Sequence, residues 1–73
     1  MGDVKINDEK FNLEVRSFLK KVGVTSQREI ERAVREGLSA GKLSGDERLK
    51  ARMTLEIKDL GVRFDIDGDI ALR

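Results

Sequence analysis

The sequence predicts an α+β domain in which two amphipathic helices pack on one face of a small antiparallel sheet, in the order ααββ. Three observations predict it. Apolar residues recur at helical spacing over residues 11 to 22 and again over 30 to 38, they alternate strictly from residue 51 onward, and glycines stand where one pattern gives way to the next. Neither layer can bury its apolar side alone, so the helices are expected to cover the dry face of the sheet.

Residues 1–6 read as a loose arm, and residues 7–73 as a single domain. Asn7 can cap a first helix over 8–22, with Asp8 and Glu9 in its first turn against the positive end of the dipole. Phe11, Val15, Phe18, Leu19 and Val22 follow at spacings of four, three, one and three. They fall within about 100° of arc and form one core-facing stripe. Leu13 projects roughly 170° away from its centre, either as a solitary surface leucine or as a seam for a partner. Lys20 and Lys21 suit the negative end of the helix, and Gly23 is expected to stop it.

A second helix is predicted over 27–40. Ser26 followed three residues later by Glu29 fits a capping box. Ile30, Ala33, Val34, Gly37 and Leu38 form its buried face, Gly41 ends it, and Gly37 is expected to let another backbone approach closely. The polar stretch KLSGDERL then turns at Ser44 and Gly45, with Leu43 and Leu49 pinning its ends.

From Ala51 the period is two. Ala51, Met53, Leu55 and Ile57 alternate with Arg52, Thr54, Glu56 and Lys58, which gives a strand over 51–58 with one wet and one dry face. The chain turns at DLG, and Val62, Phe64 and Ile66 return in a strand over 61–67. Asp67 and Gly68 are read as a tight turn into a third short strand over 69–72, with a bulge in one long second strand as the alternative.

Composition narrows the chemistry. The 73 residues contain no Cys, His, Trp, Tyr or Pro, and carry 15 basic against 14 acidic side chains. Thiolate nucleophiles, imidazole bases and Cys/His zinc sites are excluded, and the remaining carboxylates, lysines and hydroxyls form no catalytic motif. No enzyme and no cofactor are expected. Asp65, Asp67 and Asp69 are a poor match to a calcium loop, whose glycine and bidentate glutamate stand at other spacings. There is no signal-peptide run and no apolar segment of membrane-spanning length, so a cytoplasmic protein with no membrane partner is expected.

Two sets of residues remain as candidates for binding. Arg28, Arg32 and Arg35, at spacings of four and three, form a row opposite the apolar face of the second helix. The row suits phosphates or a partner's carboxylates, while Glu29, Glu31 and Glu36 flank it and can satisfy it internally. Leu13 is the other candidate. The expected function is a non-enzymatic interaction module whose partner is another protein or a second copy of itself.

The order of helix, glycine turn, helix and hairpin also resembles a winged helix-turn-helix core, which implies DNA binding through the arginine row with Arg52, Lys58 and Arg63 on the wing. Against that stand Glu29 where the turn pattern has a buried aliphatic, and only two helices ahead of the hairpin.

The words FLKKVGVTSQREIERAVREGL, GKLSGDERLKARMTLEI and IDGDIAL resemble a family of short bacterial proteins of unknown function. That resemblance spans residues 9 to 72 and implies a bacterial, stand-alone, single-domain protein. It carries over no catalytic or binding residue. Lys50 departs from it, at a place where proline is expected before ARMTL, so the strand start is open by a few residues.

Overall fold

The computed structural model describes residues 5–73, so of the expected arm only Lys5 and Ile6 are seen, both outside regular structure. The elements are one α-helix, α1 (Asp8–Ser39), a strand, β1 (Arg48–Ile57), a 3-10 turn (Lys58–Leu60) and a second strand, β2 (Val62–Ala71). The chain divides into two compact units, Met1–Glu36 and Gly37–Arg73. The α+β class stands, but with one helix where two are predicted.

Both outer ends of the helical region lie where the sequence puts them. The Asn7 side-chain Oδ1 accepts a hydrogen bond from the Lys10 amide at 3.1 Å, and its carbonyl accepts the first intrahelical bond from Phe11 at 2.9 Å. At the other end Gly41 has φ +75°. The Lys42 amide donates to the Gly37 carbonyl at 2.8 Å and the Gly41 amide to the Leu38 carbonyl at 3.2 Å, the paired bonds of a Schellman cap.

The expected break at Gly23 is absent. Its φ is not positive, and α1 runs through Val24, Thr25 and Ser26 as one helix of 32 residues, about 48 Å long. A mid-helix glycine costs about 1 kcal/mol relative to alanine and the two β-branched residues a few tenths each. Breaking the helix would orphan four amides and four carbonyls and require capping at both new ends. The Ser26–Glu29 pair caps nothing, because inside a helix the Ser26 amide already has its carbonyl partner. With no proline anywhere in the chain, nothing forces the break.

Gly37 does provide for a close approach, but of a side chain. Leu43 folds back over the last turn so that its Cδ1 would stand 2.9 Å from a Cβ placed on Gly37.

The hairpin is a two-stranded antiparallel sheet in unbroken register from Arg48↔Ala71 to Ile57↔Val62. The turn is closed by Gly61, at φ +65°, whose amide donates to the Lys58 carbonyl at 3.1 Å. Neither a turn nor a bulge interrupts the second strand at Asp67–Gly68. Gly68 pairs with Ala51, and residues 69–71 belong to β2 rather than to a third strand. β1 begins three residues before Ala51. Lys50 keeps a backbone N–H that proline would lack, and it pairs with Asp69 inside the ladder.

No described residue is buried. The apolar stripe of α1, predicted to lie in a core, is open to solvent in the unit that carries it. All three phenylalanines of the chain, Phe11, Phe18 and Phe64, are more than half exposed. The two predicted helices are therefore one, and its apolar stripe is open within its own unit.

The continuous helix has a test. Nothing lies within 4 Å of a Cβ at Gly23, so Gly23→Ala is expected to stabilise the helix by about 1 kcal/mol, whereas a left-handed helix stop there would make the same change destabilising. Gly41→Ala, at positive φ, is expected to lose about 1–2 kcal/mol. Thermal melts followed at 222 nm, at one protein concentration, should move upward by several degrees for the first and downward for the second.

Candidate functional site

The arginine row lies on the second half of α1, where the backbone places residues three and four apart on one face. Only the middle arginine is committed. Arg32 Nη1 donates to both carboxylate oxygens of Glu36 at 2.9 Å, and its Nε donates to Glu29 Oε2 at 3.3 Å. A second, shorter contact joins Arg32 Nη2 to Glu29 Oε1. One guanidinium thus spans the carboxylates three residues before and four residues after it.

The electrostatic consequences follow from those hydrogen bonds. The bond from Arg32, and then its charge, hold the Glu29 carboxyl below its ordinary value of 4.5. The Glu29 and Glu36 hydrogen bonds raise the already high value of Arg32. The pairs are solvent-exposed and fix the orientation of Arg32 more than they add stability.

The Glu31–Arg35 pair allowed by spacing is not formed. Glu31 instead accepts a hydrogen bond from Gln27 Nε2 at 3.5 Å. Among the described residues Arg28 and Arg35 make no ion pair, so the row presents two free guanidiniums on either side of a neutralised one.

Leu13 is 65% exposed, in keeping with its position off the stripe. It is not singular, because Phe11, Phe18 and Leu19 on the stripe are 56%, 54% and 56% exposed. These are the residues that sequence reasoning assigned to a core and so left out of any site. The amphipathic pattern is the same whether a helix faces its own domain or something else, and only the missing second layer separates the two cases.

On the hairpin, alternation sends the charged residues to one face, where the register sets unlike groups opposite each other. Arg52 Nε donates to Asp67 Oδ1 at 2.7 Å and Thr54 Oγ1 to Asp65 Oδ1 at 2.8 Å, while Arg48 lies 3.9 Å from Asp69. The three aspartates are engaged as cross-strand partners, and no three acidic groups among the described residues cluster as a metal site would require. The shallow depression beside Gly68 is lined by Lys50, Ala51 and the already paired Arg52, Asp67 and Asp69, and offers no convergent set of free polar groups. The other face carries Met53, Ile57, Val62, Phe64 and Ile66, all exposed.

The connection between helix and hairpin is held by one carboxylate. Glu47 accepts the amides of Ser44 at 2.8 Å and Gly45 at 2.9 Å, and the Ser44 hydroxyl bonds Asp46 at 2.5 Å. Those two backbone amides, Ser44 first, pull the Glu47 carboxyl below its ordinary value of 4.5.

With this geometry in hand, comparison with known proteins adds one result. Residues 6–73 match a family of unknown function, DUF6494. The chain belongs to this family. Membership spans both units and attaches no reaction or ligand to either. No curated protein and no solved structure matches the chain. Among the described residues, no helix is long and apolar enough to cross a membrane.

Two titrations check the electrostatics. Because the Glu47 carboxyl is lowered on folding, its contribution to stability is complete above the unfolded value and is lost as pH falls below about 4.5 through the folded value. In an NMR titration the Ser44 and Gly45 amide shifts should follow the Glu47 midpoint, and Glu47→Gln should remove that dependence. Likewise, Arg32→Gln should let the Glu29 midpoint rise toward 4.5.

Proposed function

We propose that the chain is a non-enzymatic protein-interaction module whose working surface is the apolar stripe of α1. The observation that carries this reading is the exposure of Phe11, Phe18 and Leu19 on one side of a helix in a chain with no buried described residue. Five large side chains, the exposed Phe11, Val15, Phe18 and Leu19 and the half-buried Val22, lie along about three turns. Exposed apolar area of this extent, on the order of 400 Å², reaches the size that marks interaction surfaces on folded proteins.

The absence of cysteine and histidine supports the non-enzymatic half of the reading, because the strongest nucleophile and the neutral-pH base are both missing. The arginine row is the second surface in this proposal, with Arg28 and Arg35 free to meet a partner's acidic groups and Arg32 holding the register between them. Leu13, on the opposite side of α1 from the stripe, stays a candidate edge contact. The winged-helix alternative loses its central element, since α1 has no turn between residues 23 and 26.

A photo-crosslinking amino acid placed at Phe18 tests the module. In cells it should form abundant protein adducts, while the same group at Lys20, on the far side of the helix, should form few. Equal and sparse adducts at both positions would overturn the reading.

A further inference from the structure

We propose that α1 docks on a second copy of this chain, forming an antiparallel helix pair whose two-fold axis passes between Val15 and Phe18. The proposal rests on the interaction-module reading and names its partner. Four features of residues 11–22 point to it.

The first is a palindromic spacing. Phe11, Val15, Phe18 and Val22 stand four, three and four residues apart, a series that reads the same from either end. Two such helices laid antiparallel bring Phe11 to the second copy's Val22 and Val15 to its Phe18, and symmetry repeats both layers.

The second is size. Every one of those four layers then sets one phenylalanine against one valine, large facing small, as interdigitated packing requires. A parallel, in-register pair would stack Phe on Phe and Val on Val instead.

The third is charge. Glu14 and Lys21, seven residues and two turns apart, border the stripe on one flank. Among the described residues neither makes an ion pair within its own chain. In the antiparallel pair Glu14, one residue before Val15, runs beside the second copy's Lys21, three residues after its Phe18. Symmetry supplies two such pairs, whereas a parallel pair supplies none. Opposed helix dipoles favour the same direction.

The fourth is area. The open stripe offers roughly 400 Å² per copy from its large side chains, and the stems of Asn12, Glu14 and Lys21 on its borders extend it. Two copies together supply about 800 Å² from the large side chains, and the border stems carry the total toward the roughly 1,000 Å² that a specific interface needs. A foreign partner has no reason to mirror the spacing, the size alternation and the flanking charges at once.

Sedimentation velocity of the purified full chain, over a dilution series with interference optics because Trp and Tyr are absent, tests the pair. A reversible dimer is expected. Phe18→Asp should weaken it by 100-fold or more, since a charge replaces a phenylalanine in two layers. Glu14→Lys alone and Lys21→Glu alone should each weaken it about 5- to 30-fold, and the double exchange should restore it to within about 3-fold of the original. Both charged positions lie on an exposed flank, so the rescue arm does not depend on a core substitution folding.

A strict monomer across the series would overturn the proposal. So would a dimer indifferent to Phe18→Asp, or one in which the double exchange fails to rescue. If the chain is monomeric while the Phe18 crosslinker still captures a foreign protein, the second copy is wrong and the module reading survives. Absence of adducts of any kind would remove both.

Discussion

The unbroken course of α1 through Gly23 is the constraint on which the rest depends. Had the chain turned there, residues 8–22 and 27–39 could have formed a helical hairpin in which each half covered the other's apolar side. A continuous helix forbids that, because its two halves share one axis and cannot face each other. The stripe of Phe11, Val15, Phe18 and Leu19 therefore gets no cover from the second half of its own helix, a consequence of a glycine whose cost, about 1 kcal/mol, is smaller than that of making two new helix ends.

The hairpin repeats the same division of labour. Its polar face is complete in itself, since the register sets Arg52 opposite Asp67 and Thr54 opposite Asp65. Its apolar face, with Phe64 and Ile66, is as open as that of the helix. Exposed cross-strand pairs contribute a few tenths of a kcal/mol to about 1 kcal/mol each, enough to hold a register but not to stabilise a two-stranded sheet in water. Taken by itself, each unit forms local polar pairs and leaves an apolar face open, and burial of such faces is what drives folding.

Much of the local structure was legible in the sequence because it is set by chemistry within a few residues. Asn7, Gly41 and Gly61 mark their boundaries through a side-chain cap and two left-handed glycines, and strict alternation after residue 51 locates both strands. Motifs that read equally well in two contexts misled. Gly23, Ser26 and Glu29 spell a stop and a capping box, yet the same letters fit a helix interior. Asp67–Gly68 spells a turn, yet it fits a strand in which Gly68 faces Ala51. At the candidate site the row of Arg28, Arg32 and Arg35 followed from spacing, but the choice of Arg32 as the paired member depends on which rotamers reach Glu29 and Glu36 together. Amphipathicity announces that a face will be covered and is silent on by what.

The proposed self-pairing fills that silence with symmetry. A stripe facing its own domain must match whatever residues that domain supplies, and has no cause to match itself. Residues 11–22 match themselves three times over, in spacing, in size and in charge, and a sequence constrained by self-docking acquires all three together. Such an arrangement also couples folding to concentration. A lone helix with a central glycine is marginal in water, and the side chains that would stabilise it are the ones that form the interface. In the proposed pair, folded helix and formed pair would be one equilibrium, so dilution that separates the copies would also remove the main apolar support of α1.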